Sequence, residues 1–456
     1  MIKKEIFREY DIRGIYDSEL NEDTAYLIGK AYGTILQKEY NKKKCIVGYD
    51  NRLSSVSLYE ALVKGILETG VDVVSIGLTT TPMYYFAWDY LNVKCGVMIT
   101  ASHNPKEYNG FKFSYNGLHN AFGASVYHLF DVIQSNDFIK GNGILIEKKV
   151  KDEYINLLLK GIKLGDRQLK VVFDCGNGTT SIVARDVLSK LDIELVNLYD
   201  VSNGEFPNHH PDPCVEDNLV ELKRTVIDTK ADIGVAYDGD GDRVGVVDEK
   251  GNYIPTDLFM VIIWRDIYNK IKDKRGLLDV KCSKALEDEM IKLGIEPIIY
   301  RTGNSYTKEK MVSAKLPFGG ELSGHVYFQD KFPGYDDGIY ASLRIIEILS
   351  HTDKTLSSLL DSINKYYNTP EIKIEVSDNV KFKIIDKVKQ YAIFNKLNFI
   401  DIDGVKILNE DGFALIRASN TGPNITLRFE ARDKDKLKEI KEYYVNLVNK
   451  YIKEED

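Results

Sequence analysis

The chain has 456 residues, 43% hydrophobic and 29% charged, with a formal net charge of −8. That length predicts several domains with real apolar cores, and the acidic balance argues against non-specific binding to nucleic acid or to an anionic membrane. Five cysteines (Cys45, Cys95, Cys175, Cys214 and Cys282) are scattered without CxxC or metal-ligand spacing and are expected to stay reduced. The opening MIKKEIFREYDIRG has no apolar signal core, and no run approaches membrane-spanning length, so the expected compartment is the cytoplasm.

Taken in chain order, KCIVGYD predicts a strand, SLYEALVKGILETG a helix and VDVVSIG a second strand. The apolar run CGVMI predicts a buried strand that ends in TASHNP, residues 100–105. That loop presents Ser102 beside His103 and Asn104, and Pro105 stops an immediate helix. A serine held out at a strand end is a candidate nucleophile or phosphate carrier. An ordinary polar turn has the same composition, and both readings stand at this point.

After a lysine-rich stretch near residue 148, LKVVFDCGNG, SIVARDVLSKL and IELVNLY repeat the strand, helix, strand order. ADIGVAY and VGVVD then predict two strands flanking DGDGDR, residues 238–243. Three carboxylates this close repel one another, and a hard divalent cation between them removes that cost. The glycines allow the backbone to fold tightly enough for Asp238, Asp240 and Asp242 to converge. Glu249 falls at the twelfth position of an EF-hand count, but Arg243 stands where that loop needs glycine and the flanks read as strands, so an EF-hand is rejected. The next boundary is expected near 250, at DEKGN.

GGELSGH, residues 319–325, follows. If the stretch is extended, Glu321 and Ser323 point to one side, a pairing suited to neighbouring sugar hydroxyls, and His325 adds a group that titrates near neutrality. A third boundary is expected near 366, at KYYNTPE, where Pro370 interrupts a helical pattern. RASNTGPNITLR, residues 417–428, predicts two strands around a loop of hydroxyls, amides and backbone N–H groups, bracketed by Arg417 and Arg428. It reads as a phosphate cradle or as a polar hairpin turn. The chain ends in a charged helix whose aromatic stripe is expected to pack. The alternation of strands and helices reads as α/β layering with mostly parallel pairing.

TASHNP, DGDGDR, GELSGH and RASNTGP, in this order, resemble the alpha-D-phosphohexomutases, as do FREYDIRG, VGYDNRLSS, PNHHPDP and DVKCS. The resemblance spans essentially the whole chain and is strongest to the phosphomannomutase/phosphoglucomutase branch. It implies three related α/β domains with mixed sheets plus a smaller α+β C-terminal domain. The expected division is 1–148 with the phosphoserine loop, 149–250 with the metal loop, 251–366 with the sugar-binding loop and 367–456 with the phosphate-binding loop.

The implied activity is the interconversion of hexose 1-phosphate and hexose 6-phosphate, on mannose, glucose or both. It implies a phosphate carried on Ser102, a hexose 1,6-bisphosphate intermediate that turns around in the site, and Mg²⁺ held by Ser102, Asp238, Asp240 and Asp242. The resemblance also implies catalytic roles for His103, Lys112, Arg243 and His325, with Lys112 a candidate for proton transfer. Substrate contacts are implied for Tyr10, Arg13, Lys281, Asn304, Glu321, Ser323, His325, Arg417, Ser419, Asn420, Thr421 and Arg428. The expected partner is a hexose phosphate, with no nucleic acid or membrane, and the expected assembly is a monomer or homodimer. Asn304 departs from the pattern, because the close branch usually has histidine there; asparagine carries no proton at neutral pH, and His325 is the residue able to cover that role. The alternatives are a phosphoglucosamine mutase, a Mg²⁺-dependent sugar phosphatase and a non-catalytic sugar-phosphate-binding protein.

Overall fold

The computed structural model describes residues 2–117, 119–419 and 422–455. Four sheets follow one another along the chain. The first runs Ile12–Ile15, Tyr108–Ser114, Gly96–Ile99, Lys44–Tyr49, Asp72–Leu78, Leu145–Glu147 in spatial order. Its inner strands pair in parallel, while Tyr108–Ser114 runs antiparallel to both neighbours. The helix Glu22–Lys38 covers one face. Its start is set by Asn21, whose side chain accepts from the Thr24 N–H at 3.0 Å, and by Glu22 and Asp23 in the first turn, which suit the positive helix end.

The second sheet runs Tyr253–Ile254, Val244–Asp248, Ile233–Tyr237, Lys170–Asp174, Glu194–Leu198, and the third Glu296–Tyr300, Arg275–Asp279, Phe318–Gly320, Val326–Phe328. Each combines parallel pairs with an antiparallel hairpin. The expected mixed α/β class is what these sheets form. The fourth sheet, built on Asn424–Ala431 and Gly412–Ala418, is wholly antiparallel and backed by the helices Asp378–Phe394 and Lys434–Glu455.

Two local expectations fail. SIVARDVLSKL does not form one helix: a 3-10 turn at Thr179–Ile182 precedes a short helix at Ala184–Leu188. The Thr179 N–H is drawn off to the carbonyl of Gly239 at 2.8 Å, so the first turn is anchored to another loop. Pro370 interrupts no helix either. It lies between the strands Tyr367–Asn368 and Ile372–Glu375, which both pair with Asn424–Ala431, at a point where a residue lacking an N–H breaks the ladder.

The cores explain how the units hold together. One apolar cluster joins Ile46 and Tyr84, Phe173 and Val235, and Trp264 and Leu278, so the three α/β sheets share a continuous interior. The antiparallel unit has its own core, including Ile384, Ile416, Leu427 and Phe429. Among the described residues, a small seam of Val280, Phe413 and Leu415 carries apolar packing across to the third sheet. At ~1.5–3 kcal/mol per buried side chain that seam is modest, and polar contacts complete the junction. The Lys284 N–H donates to Glu430 Oε1 at 2.7 Å, and Lys281 Nζ lies 3.3 Å from Glu371 Oε1. Among the described residues, no helix is long and apolar enough to cross a membrane.

Candidate active site

Gly96–Ile99 is buried along its length and delivers Thr100, Ala101 and Ser102 to the junction between the first two sheets. Ser102 has φ +50°, in the left-handed region, which costs a non-glycine residue ~1–3 kcal/mol. Arg52 offsets that cost. Its buried guanidinium donates to the carbonyls of Ser102 at 2.8 Å, Asn104 at 2.7 Å, Pro105 at 2.7 Å and Tyr108 at 3.0 Å, and its Nε lies 3.2 Å from Asp50. Four charged hydrogen bonds from one buried side chain hold the loop in that conformation.

Ser102 Oγ donates to Asp238 Oδ2 at 3.0 Å and lies 3.3 Å from His103 Nδ1. Burial, reinforced by Arg243 and Arg13, pushes His103 well below its ordinary range, so its imidazole is neutral at pH 7.

Ile233–Tyr237 and Val244–Asp248 pair in register with Tyr237 opposite Val244, so DGDGDR is the connection of an antiparallel hairpin. Gly239 is required there, because a Cβ would meet the Ser102 carbonyl oxygen at 2.5 Å. Asp238, Asp240 and Asp242 are all buried, and each offers an oxygen within 4.8 Å of the others. Lys112 Nζ lies 2.8 Å from both Asp240 and Asp242, and Thr81 Oγ1 donates to Asp240 at 2.6 Å.

The electrostatics are those of crowded acids. Burial and the neighbouring Asp242 and Asp240 push Asp238 well above the usual carboxylate range. Burial opposes the charges of Asp242 and Lys112 too, but Lys112 and His325 hold Asp242 below its usual range, while Asp240 and Asp242 hold Lys112 well above. Oδ1 of Asp240 and Oδ1 of Asp242 are buried without a hydrogen-bond partner among the described residues. Converging hard oxygens, two of them orphaned, and a carboxyl whose charge is disfavoured until positive charge arrives are the features that fit a divalent cation.

The GELSGH segment differs from its expectation. It is not extended: the Gly324 N–H closes a turn onto the Glu321 carbonyl at 3.2 Å, since Glu321 follows the end of Phe318–Gly320. The turn still brings Ser323 Oγ to 3.3 Å from Glu321 Oε2. Glu321 Oε1 is buried with no hydrogen-bond partner among the described residues, and burial raises its carboxyl.

His325 Nδ1 lies 2.7 Å from Asp336 Oδ2, and its Nε2 accepts from Arg243 Nε at 3.0 Å. Asn304, at the start of the helix Asn304–Ala314, reaches both His325 Nδ1, at 3.0 Å, and Asp336. Arg243 also lies 3.6 Å from Asp238, so the acidic hairpin and the sugar-binding turn meet through it.

Arg417 and Arg428 lie on the same face of their strands, diagonal to one another, because Arg417 pairs with Thr426 and Arg428 with Leu415. The Gly422 N–H donates to Ser419 Oγ at 3.2 Å, and Lys381 Nζ donates to the Ser419 carbonyl at 2.6 Å. Asn420 and Thr421 lie outside the described residues. Tyr10 OH donates to the Thr302 carbonyl at 3.2 Å and Arg13 Nη1 to Asn104 Oδ1 at 2.7 Å, so FREYDIRG touches both the phosphate-carrier loop and the loop before Asn304.

The Ser102 loop, the acidic hairpin, the Glu321 turn and the strands bearing Arg417 and Arg428 follow one another along the chain as the sequence motifs do. Four family descriptions match in sequence: phosphoglucomutase/phosphomannomutase alpha/beta/alpha domain I over residues 4–137, domain II over 152–251, domain III over 255–366 and the C-terminal domain over 371–447. The chain belongs to the phosphoglucomutase/phosphomannomutase family. It is 39% identical to a phosphomannomutase/phosphoglucomutase of Pseudomonas putida, covering 96% of this chain and 94% of that protein. It is 37% identical to a phosphoglucomutase of Neisseria gonorrhoeae, covering 94% of each. A crystal structure of a phosphoglucomutase/phosphomannomutase family protein from Burkholderia thailandensis superposes with a TM-score of 0.92 at 36% identity, covering 99% of this chain and 98% of that one.

Within this family member, several residues that sequence reasoning passed over hold the site together. Arg52 lies in VGYDNRLSS, a stretch noted for its resemblance and not for a role. Asp336 sits beside His325. Lys308 is buried against the ring of Tyr85, and burial brings it down to about 7. For Arg52 the available signal was an arginine following an acidic residue directly after a buried strand.

Proposed function

We propose that this chain is a phosphohexomutase that interconverts the 1-phosphate and 6-phosphate of mannose and glucose through a phosphoserine at Ser102 and a hexose 1,6-bisphosphate. The carrying observation is the 3.0 Å hydrogen bond from Ser102 Oγ to Asp238, one of three buried carboxylates whose oxygens converge. A serine with no acidic hairpin beside it would be a turn residue, and an acidic hairpin with no serine beside it would be a bare cation site.

In this reading the phosphoryl group leaves Ser102 Oγ for the free hydroxyl of the sugar: the Ser102 O–P bond breaks and a sugar O–P bond forms. The hydroxyl proton passes to a base, and Ser102 regains a proton when its oxygen leaves. Such transfers need alignment and charge neutralisation more than covalent activation. Asp238, Asp240 and Asp242, with the Ser102 phosphate, would hold Mg²⁺, which supplies neutralisation of the transferring group when bound. Lys112, held as an ammonium between two carboxylates, adds fixed positive charge and can give a proton but not take one. Arg243 stands between Asp238 and His325 and offsets charge at the same place. His325, joined to Asp336 and Asn304, is the proton carrier once Arg243 turns from its Nε2 to the substrate phosphate, and neutral His103 flanks the serine. Glu321 and Ser323 take hydroxyls common to mannose and glucose, while Lys281, Arg417, Ser419 and Arg428 hold the phosphate that is not reacting. The boundaries near 148, 250 and 366 are the working division of the chain, with one loop of the site in each part.

The test is a substrate panel assayed with Mg²⁺ and trace hexose 1,6-bisphosphate. Isomer conversion of both mannose 1-phosphate and glucose 1-phosphate is expected, with kcat/KM values within about two orders of magnitude, since no group in the proposed set reads the C2 position. Net release of phosphate without conversion would identify a phosphatase, and binding without either would identify a non-catalytic protein. A far stronger preference for glucosamine phosphate would move the assignment to that sugar.

A further inference from the structure

Arg417 has a partner that no motif pointed to. Asp403 lies in the turn between the strands Asn398–Ile400 and Val405–Asn409. Its Oδ2 accepts from Arg417 Nε at 3.1 Å and lies 3.0 Å from Arg417 Nη2. The same oxygen accepts from the backbone N–H of Thr302, on the third sheet's side of the junction, at 3.1 Å. Both side chains are more than nine-tenths buried, at 9% and 8% exposure. The turn is built against the arginine: Gly404 has φ +79°, and a Cβ there would meet Arg417 Cα at 2.6 Å.

We propose that Asp403 is a positioning residue of the phosphate cradle, fixing both the plane of the Arg417 guanidinium and its distance from the sugar-binding loop. A guanidinium has two forked edges, Nε/Nη2 and Nη1/Nη2. Asp403 takes the first. The second matches two oxygens of a phosphate, and a carboxylate seated on the side edge sets which way that end edge faces.

The Thr302 contact extends this tie to the Glu321 turn. Thr302 precedes Gly303, whose N–H donates to Glu321 Oε2 at 3.2 Å, and its carbonyl accepts from Tyr10. One carboxylate oxygen therefore ties the arginine for the distal phosphate to the loop that holds the carboxylate for the sugar hydroxyls. The spacing between phosphate and sugar ring is set at that oxygen.

A carboxylate near a phosphate site also repels the phosphate, and this effect has the opposite sign. Lys281, Arg417 and Arg428 face Glu371 and Asp403, so carboxylates already sit among the cations of the cradle. Asp403 directs its charge into Arg417 and the Thr302 N–H, so orientation outweighs repulsion.

The proposal rests on the mutase reading, and the experiment separates the two. Asp403→Ala and Asp403→Asn are made in the full chain. KM and kcat for glucose 1-phosphate are measured, together with the inhibition constant of inorganic phosphate and the melting temperature. In Asp403→Ala, KM and the phosphate inhibition constant rise together by about tenfold while kcat falls less, the loss of one charge-assisted contact. Asp403→Asn keeps a carbonyl acceptor and recovers part of the loss, which also covers the case in which the alanine variant fails to fold. Unchanged or tighter phosphate binding in a folded variant overturns the proposal, because repulsion would then have been the larger effect. If the wild type converts no hexose phosphate, direct titration with inorganic phosphate still decides the role of Asp403.

Discussion

The acidic hairpin and the basic cradle face the same junction and are built by opposite rules. At the hairpin three carboxylates from one six-residue turn are buried together, and cations from other elements, Lys112 and Arg243, are brought to them. At the cradle the cations Lys281, Arg417 and Arg428 are gathered, and the carboxylates Glu371 and Asp403 are brought to them. In the proposed mechanism the first would take a cation and the second an anion. The surroundings differ as well. The hairpin sits among sheets with a continuous apolar interior, whereas the cradle belongs to a unit with its own core and a small apolar seam to its neighbour. In the proposed mechanism the transfer chemistry would fall to the part with the continuous apolar core, and capture of the non-reacting phosphate to the part joined mainly by polar contacts.

The largest effect expected on the hairpin side is that of Ser102→Ala. Turnover falls by at least about a thousandfold because the acceptor of the phosphoryl group is gone. The melting temperature stays close to wild type, and intact mass shows one added phosphate on active wild type and none on the variant. Full activity in the variant would remove Ser102 from the chemistry.

Arg52→Met tests whether the rigidity of that side comes from one guanidinium. Four carbonyls each lose a donor, although Pro105 keeps the Tyr108 N–H, and Asp50 loses its ion-pair partner, so unfolding is expected to become easier by ~3–5 kcal/mol. Denaturant titration measures this, and a change under 1 kcal/mol would place the support of the Ser102 loop elsewhere.

On the cradle side, Arg417→Ala is expected to raise KM for phosphosugars by roughly 10- to 150-fold, the equivalent of a charged hydrogen bond of ~1.5–3 kcal/mol, with a smaller effect on stability than Arg52→Met. A loss confined to kcat would mean that Arg417 acts on the reacting phosphate.

The smallest effect separates metal use from scaffold. Asp240→Asn removes one of three converging charges and should raise the Mg²⁺ concentration for half-maximal activity on the order of tenfold. Saturating Mg²⁺ restores most of the turnover. An unchanged metal titration would make the hairpin a structural turn held by Lys112, Thr81 and Thr100.

Much of this site can be read locally. CGVMI before a polar loop with proline, alternating aspartates between two apolar runs, and arginines on either side of a hydroxyl-rich turn are patterns whose residue spacing carries their meaning. The failures are places where a local rule met a distant partner. SIVARDVLSKL has helical composition, yet it divides into the end of a 3-10 turn and a short helix, and Thr179 just before it is tied to Gly239. Glu321 and Ser323 approach each other around a turn and not along a strand, because the backbone there folds back between Phe318–Gly320 and Val326–Phe328. Arg52 precedes the loop that it clamps by about fifty positions, and the acidic residue before it marks a buried ion pair but not which loop the guanidinium holds.

The amino-acid sequence by itself determined which chemical groups this protein owns and the order of its loops, because turn residues, apolar runs and clustered charges act over a few neighbouring positions. Only the tertiary structure decided how each group is partnered: Lys112 between two aspartates, His325 between Asp336 and Arg243, Asn304 against both, Arg417 on Asp403. The physical reason is that burial makes an unpaired charge costly, so the state of each titratable group depends on which distant residue folding brings within about 3 Å of it.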